Sequence, residues 1–258
     1  MIPPKVSLIT VTYNSEQTLT DTIKSVLSQT YTGIEYIIID GLSTDGSREI
    51  IESFGNKISK FISEKDSGMY DALNKGIKIA TGKIIGILNS DDFFHNDKVI
   101  ERLMYEFNEN DIDAVYGDVQ FVNRTKTPKI VRYYSSKRFN PQRFKFGIMP
   151  AHPSFYAKRE LFEKYGYYST NYKIAADFEL LIRFLFTHKV KTKYIPMPFV
   201  TMRTGGISNK SFISNITLNR EIARACRENG IKTNYLYIYS KYLFKIFEFL
   251  SFRKNKTD

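Results

Sequence analysis

The chain has 258 residues, with 38 Lys+Arg against 27 Asp+Glu, a net charge of +11, 42% hydrophobic residues and 25% charged residues. That composition is globular; it excludes fibrous repeats and long disorder, and the length suits one large α/β domain with or without appendages. The single cysteine, Cys226, excludes an intrachain disulfide and a cysteine metal cluster, and three scattered histidines (His95, His152, His188) make a poor zinc site.

Residues 6–11 (V-S-L-I-T-V) form a short β-rich run bounded by Asn14. Asn14-Ser15 is expected to cap a helix reaching about 29, with Leu19, Ile23, Val26 and Leu27 on one face. A second apolar run, 34–39, ends at Asp40. Such unbroken runs suit strands covered on both faces. Residues 45–54 read as helix and 58–62 as a third strand. Residues 69–80 read as helix closed by Thr81-Gly82. Residues 84–88 read as a fourth strand, ending at Asn89-Ser90-Asp91-Asp92. A helix over 99–107 and a strand over 114–116 follow. This alternation predicts a mostly parallel sheet with helices on both faces. Ligands of such sheets sit beyond the carboxyl ends of the strands, where Tyr13-Asn14, Asp40, Glu64 to Asp66 and Asp91-Asp92 all fall.

After 118 the pattern changes. Residues 120–134 read as a hairpin, 144–157 as irregular, 175–186 as an apolar helix, 192–195 as a strand and 211–228 as a helix. Residues 119–159 contain ten Lys or Arg and no acidic residue. A basic block of this kind faces a polyanion or is a solvated surface. Residues 235–252 hold thirteen apolar or aromatic residues in eighteen, with Lys241, Lys245 and Glu248 as a narrow polar stripe and Arg253, Lys254 and Lys256 behind. That predicts an amphipathic helix at a membrane surface with anionic headgroups; the alternative is packing on the domain or on a second subunit, as in a homodimer. No secretory signal and no transmembrane run is read, so the expectation is a cytoplasmic protein, peripheral on the inner face of the cell membrane or free of it.

The rim lacks G-x-G-x-x-G, a correctly spaced P-loop and a G-x-S-x-G elbow. Instead, V-S-L-I-T-V-T-Y-N (6–14), I-I-I-D-G-x-S-T-D-G-S (37–47), E-K-D-S-G-M-Y-D-A-L-N-K-G-I-x-x-A-T-G (64–82) and L-N-S-D-D (88–92), in this order, resemble glycosyltransferase family 2 with its GT-A fold. The resemblance continues loosely through His152-Pro-Ser154, Ala176-Asp177 and Gly205-Gly206-Ile-Ser208. It implies a Rossmann-like sheet with a nucleotide-sugar half (1–118), an acceptor-binding half of the same domain (119–232) and a C-terminal helix and tail (233–258).

The resemblance also assigns roles. Thr10, Tyr13, Asn14 and Asp40 fall at the family's base-binding edge, and Asp66, Asp71, Asn74 and Lys75 in its second nucleotide segment. Asp40 can take a proton from a base edge; its alternative is capping the turn at Thr44 and Asp45. Asn74 and Lys75 have the alternative of ordinary exposed helix positions. Asn89-Ser90-Asp91-Asp92 stands where the family has D-x-D, with Asn89 in place of its first aspartate. Asp91 is the expected ligand of a divalent cation, Mn2+ or Mg2+, and Asp92 its auxiliary. Asp177 matches the family's catalytic base, with Glu179 as fallback. His152 is a contact for acceptor or leaving diphosphate, or plain structure. Arg203 with Gly205-Gly206 reads as a flap. The implied activity is metal-dependent, inverting transfer of a sugar from a nucleoside-diphosphate donor to a glycan or lipid-linked acceptor in surface polysaccharide synthesis. Two other readings are a non-catalytic sugar-nucleotide-binding module and, from the basic pI, a nucleic-acid-binding protein; the carboxylate-rich rim opposes the latter.

Overall fold

A computed structural model describes residues 5–123, 129–204 and 212–242. Among these residues nine strands form one sheet in the order β3-β2-β1-β4-β8-β6-β9-β5, with β7 paired to β6. They are β1 (Val6–Thr12), β2 (Ile34–Asp40), β3 (Lys60–Ser63), β4 (Ile84–Ile87), β5 (Phe93–Phe94), β6 (Ala114–Val122), β7 (Ile130–Tyr134), β8 (Tyr156–Lys158) and β9 (Thr192–Arg203). β1, β2, β3, β4, β6 and β9 run one way; β8, β5 and β7 run against them. The sheet is thus mostly parallel.

The helices are α1 (Leu19–Leu27), α2 (Ser47–Ser53), α3 (Met69–Ile79), α4 (Val99–Glu109), α5 (Arg159–Tyr165), α6 (Ala176–Ile182) and α7 (Phe212–Glu228). Each side of the sheet has its own core. Leu8 and Ile38 point toward α1, α2 and α4, whose Ile23, Ile51 and Leu103 cover them. Ile9, Ile37 and Ile39 point the other way, beneath Leu73, Leu161, Phe178 and Ile222 of α3, α5, α6 and α7. Every residue of β1 is buried, with Val6 and Leu8 packed in one core and Ile9 and Val11 in the other. Two glycines permit the closest approaches. A Cβ on Gly76 would stand 2.6 Å from Ile9 Cγ2, and one on Gly86 would enter the Tyr156 ring.

Several boundaries differ from the sequence expectation. Asn14-Ser15 does not cap α1. Asn14 adopts a left-handed backbone (φ 51°), and its Oδ1 accepts from the Thr44 N–H at 2.8 Å. α1 therefore starts only at Leu19, after a turn held by Ser15 O. β6 continues to Val122, so position 118 lies inside a strand. The stretch read as irregular holds two 3-10 turns, Pro141–Phe146 and His152–Ser154, and β8. The apolar helix stops at Ile182, and a π turn, Arg183–Thr187, follows.

The tail is helical over 235–242 and packs on α7. Ile238 is buried there. Lys241, expected on an outward polar stripe, is only 5% exposed and donates to Asn219 Oδ1 at 2.7 Å. Tyr235, Leu236 and Tyr239 face outward instead. Lys245, Glu248 and the terminal basic cluster lie outside the described residues, as do Gly205, Gly206 and Ser208. Among the described residues, no helix is long and apolar enough to cross a membrane.

At the opposite end of the sheet from the rim, Glu35 is buried. Burial alone raises its pKa, but the Ser7 hydroxyl, the Thr81 N–H and hydroxyl, and Lys60 more than offset that, bringing it from 4.5 to about 2. The depressed folded-state value means that this stability is present above the unfolded pKa and is lost as pH falls from about 4.5 toward 2. The full shift corresponds to about 3 kcal/mol. Denaturant melts at pH 6 and pH 3 are expected to show a steeper loss for the wild type than for Glu35→Gln; equal slopes would refute the role.

Candidate active site

The carboxyl ends of β1, β2, β3 and β4 bring three groups of polar side chains to one rim. The first belongs to the β1 and β2 ends. Tyr13 is 64% exposed there. Asp40 is fully buried: its carboxylate accepts from the Ser43 N–H and hydroxyl and, at 2.6 Å, from the Ser63 hydroxyl. It thus organises the turn that also binds Asn14, whose N–H donates to Ser43 Oγ at 2.9 Å. Thr10 is enclosed within β1, and its hydroxyl pairs with the Tyr36 hydroxyl at 3.1 Å.

The second group lies along α3. Lys75 Nζ contacts Asp66 at 2.6 Å, Glu64 at 2.8 Å and Asp71 at 3.7 Å. Asp66 first, and then Glu64, hold the ammonium well above its ordinary pKa. Asp71 also accepts from the Ser67 N–H at the start of the helix. Asn74 faces away from this cluster: it donates to Tyr168 O at 2.8 Å and accepts from Tyr168 N–H at 3.0 Å. It fastens α3 to the segment before α6.

The third group is the turn after β4. The Ser90 carbonyl accepts from the Thr18 and Thr22 hydroxyls, and Ser90 Oγ shares a hydrogen with Ser15 Oγ at 2.9 Å. The Asp91 carboxylate has no hydrogen-bond partner among the described residues. Asp92 is 1% exposed, with Asn89 Nδ2 and the Arg203 N–H each donating to it at 3.4 Å. Burial, and then the charge of Asp91, push the Asp92 carboxyl well above the carboxylate range. A cation against the pair relieves that repulsion, so the donor set suits a hard divalent ion. Among the described residues no group of three or more His, Cys, Asp or Glu is arranged to hold a metal alone. Asp91 would be the ligand facing the rim and Asp92 the charge behind it, with further ligands coming from diphosphate and water.

Arg203 was expected in a flap. It is buried beneath this turn, donating to Asp91 O at 2.9 Å and Asp21 at 2.5 Å and stacked on Phe93. Its partners are far apart in sequence, and no local signal reveals them.

Asp177 lies in the first turn of α6. Its Oδ1 accepts from the Phe178 N–H at 2.8 Å, and its Oδ2 is 3.1 Å from His152 Nδ1. β8 runs antiparallel to β4, so the His152 turn that precedes it lies at the rim end of β4. Tyr70, at the start of α3, donates to Ile174 O; burial first, then the charge of Asp177, raise its pKa. Glu221 of α7 accepts from the N–H groups of Lys173, Ile174 and Ala175 at 2.8–2.9 Å and so fixes the approach to α6. The fallback Glu179 is committed to Arg183, at 2.8 and 3.0 Å. Tyr70 lies inside the D-S-G-M-Y-D segment and could have been picked out; Glu221 carried no signal.

The basic block divides in three dimensions. Lys158 pairs with Asp113 and Arg159 with Glu163, and Arg132 stacks on Phe121 and Tyr134. Lys145 lies against the tail helix, over Phe146 and Tyr237, and Arg143 donates to Arg138 O. Arg124 and Lys126 lie outside the described residues.

The family model for Glycosyl transferase family 2 matches residues 7–166, more than half of the chain and all of the rim of β1 to β4. The chain belongs to glycosyltransferase family 2. This family 2 glycosyltransferase is 26% identical over 231 residues to a "PGL/p-HBAD biosynthesis glycosyltransferase" of Mycobacterium bovis, spanning 86% of this chain and 88% of that relative. It is 35% identical over 116 residues to "Glycosyltransferase GlyG" of Streptococcus pneumoniae, spanning 44% and 38%. Solved structures share its fold. TarS 1–349 of S. aureus in complex with UDP-GlcNAc superposes with a TM-score of 0.68 at 18% identity, over 88% of this chain and 68% of that one. The mannosyltransferase PcManGT of Pyrobaculum calidifontis, with GDP-Man and Mn2+, gives 0.63 at 18% identity, over 88% and 64%. The family 2 glycosyltransferase therefore has the GT-A architecture that its motifs imply.

Proposed function

We propose that this enzyme moves a sugar from a nucleoside-diphosphate donor to a hydroxyl of a glycan or lipid-linked glycan, with inversion, in surface polysaccharide synthesis. The observation that carries the reading is one rim bearing two separate carboxylates: Asp91, whose side chain has no hydrogen-bond partner among the described residues, and Asp177, aimed by His152 and α6. Tyr13, Asn14, Asp66, Asp71, Lys75 and Ser90 line the donor side. Thr10, Asp40 and Asn74 shape that side from beneath through their bonds to Tyr36, Ser43, Ser63 and Tyr168. Asp177 takes the proton of the acceptor hydroxyl as its oxygen bonds to the anomeric carbon. The anomeric bond to phosphate breaks, and its electron pair leaves with the nucleoside diphosphate. An α-linked donor then gives a β-linkage. A divalent cation held at Asp91, with Asp92 behind it, supplies charge neutralisation for the diphosphate.

Melting curves with UDP and GDP, each with and without Mn2+, test this reading. A diphosphate at 100 times its Kd adds about 2.7 kcal/mol, or roughly 5–10 °C in Tm. A shift that needs both nucleotide and cation is expected. A chain indifferent to both, but bound by random DNA at physiological salt, would instead be a nucleic-acid-binding protein. Nucleotide binding without donor turnover or hydrolysis would favour the binding-module reading.

We also infer peripheral attachment to an anionic membrane surface. Leu236 is 83% exposed beside Tyr235 and Tyr239, and Lys145 stands over Tyr237 of the same helix. Exposed aromatic and basic groups of this kind suit a headgroup layer. Flotation with phosphatidylserine vesicles at low salt is expected, weakening as salt rises and lost in Leu236→Glu/Tyr239→Glu. Full-length chain that ignores these vesicles would overturn the inference.

A further inference from the structure

We propose that His152 is a positioning residue for Asp177: through Nδ1 it holds one carboxylate oxygen in place while the acceptor hydroxyl is deprotonated. This rests on the reading of Asp177 as the base. It gives His152 a different task from contact with acceptor or diphosphate.

The turn that carries His152 is held by buried groups. His152 opens a single 3-10 turn in which Pro153 fixes the backbone and Phe155 N–H closes on His152 O at 3.0 Å. That turn is fastened to the sheet at two points. Ser154 is buried; its Oγ accepts from the Gly117 N–H at 3.1 Å and stands 2.9 Å from Gly117 O and 2.7 Å from Ala151 O. Ser136, also buried, accepts from the Ala151 N–H at 3.0 Å. Ser136 is itself held by Asp118, whose carboxylate accepts the Ser136 N–H at 2.7 Å and the hydroxyls of Tyr133 and Tyr194. A chain of hydrogen bonds thus runs from β6 to the backbone beside His152, and the imidazole reaches Asp177 from that anchored turn.

Asp177 is anchored from the other side. Its helix rests on the Glu221 contacts and on the Tyr70 hydroxyl. Tyr70 of α3 and Tyr168 of the loop before α6 stand near enough that, after burial, the charge of Asp177 raises the pKa of each. With Phe178 N–H on Oδ1 and His152 on Oδ2, the carboxylate plane is defined by one donor on each oxygen. The imidazole must carry its hydrogen on Nδ1 to donate to an ionised carboxylate. A carboxylate free to rotate would spend less time aligned with the attacking hydroxyl, and misplacement by about 1 Å costs on the order of 10²-fold.

The test compares His152→Ala, His152→Asn, Asp177→Asn and the double variant His152→Ala/Asp177→Asn in the full chain. The donors are UDP-GlcNAc and GDP-mannose and the acceptors octyl glycosides, using the pair that the wild type turns over. Tm and donor KM are read alongside kcat. His152→Ala is expected to lower kcat about 10–100-fold, with donor KM and Tm near wild type. His152→Asn places an amide N–H where Nδ1 was and is expected to recover most of the loss. In the Asp177→Asn background His152→Ala is expected to cost almost nothing more, because the group it positions is gone. The proposal is overturned by an equal loss in both backgrounds, by an Asn variant as poor as Ala, or by a raised donor KM with unchanged kcat. Wild-type kcat in Asp177→Asn alone would instead remove the base assignment, and this proposal with it.

Discussion

Asp177→Asn is expected to lower turnover by about 10²–10⁴ while leaving nucleotide affinity almost unchanged, the range for losing a positioned general base. The substitution is close to isosteric. The amide oxygen still accepts from the Phe178 N–H, and the amide nitrogen can donate to His152 Nδ1 once the imidazole carries its hydrogen on Nε2, so α6 keeps its first turn. What disappears is the ability to take a proton from the acceptor. The measurement is kcat at saturating donor and acceptor, with nucleotide dissociation constants in parallel. Collapsed nucleotide affinity with surviving turnover at saturation would place Asp177 in the binding site instead.

Asp91→Asn is expected to abolish transfer and to remove the Mn2+-dependent part of the nucleotide-induced rise in Tm. The expected direction for the ligand-free protein is informative. Asp91 raises the pKa of buried Asp92 by charge repulsion, so removing its charge leaves the unliganded Tm unchanged or higher. A variant that melts like wild type yet ignores Mn2+ separates loss of a ligand from loss of fold. Unchanged turnover would sink the metal assignment.

The parallel half of the fold was legible because its strands are covered on both faces and therefore largely continuous in hydrophobicity, as in 36–39. Their ends could be found because polar residues follow at once. The start of α1 was misread because a cap-like pair, Asn14-Ser15, serves the neighbouring turn at Ser43 and Thr44 instead. β8 left no local pattern. Its place is decided by Tyr156 covering Gly86, two residues seventy positions apart, which no short window can connect. The same distance hid the site's supports. Asp177 stood out by its family position, but its contact with His152 and the Glu221 bracket behind it arise only when three separate segments meet. For a related reason a tally of charges along the chain did not show that Asp113 pairs with Lys158, while Glu163, four residues beyond Arg159, pairs with it locally.

The position of β8 also has a consequence for synthesis. This three-residue strand is slotted antiparallel between β4 and β6, so it alone joins the first four strands to the rest of the sheet. Until residue 158 has left the ribosome, β4 carries an unpaired row of N–H and C=O groups along an apolar edge. Such an edge invites pairing with another chain. Closing that edge depends on contacts between residues far apart in sequence, which form slowly. That β4 edge lies next to β1, the strand on which the donor side of the rim is built.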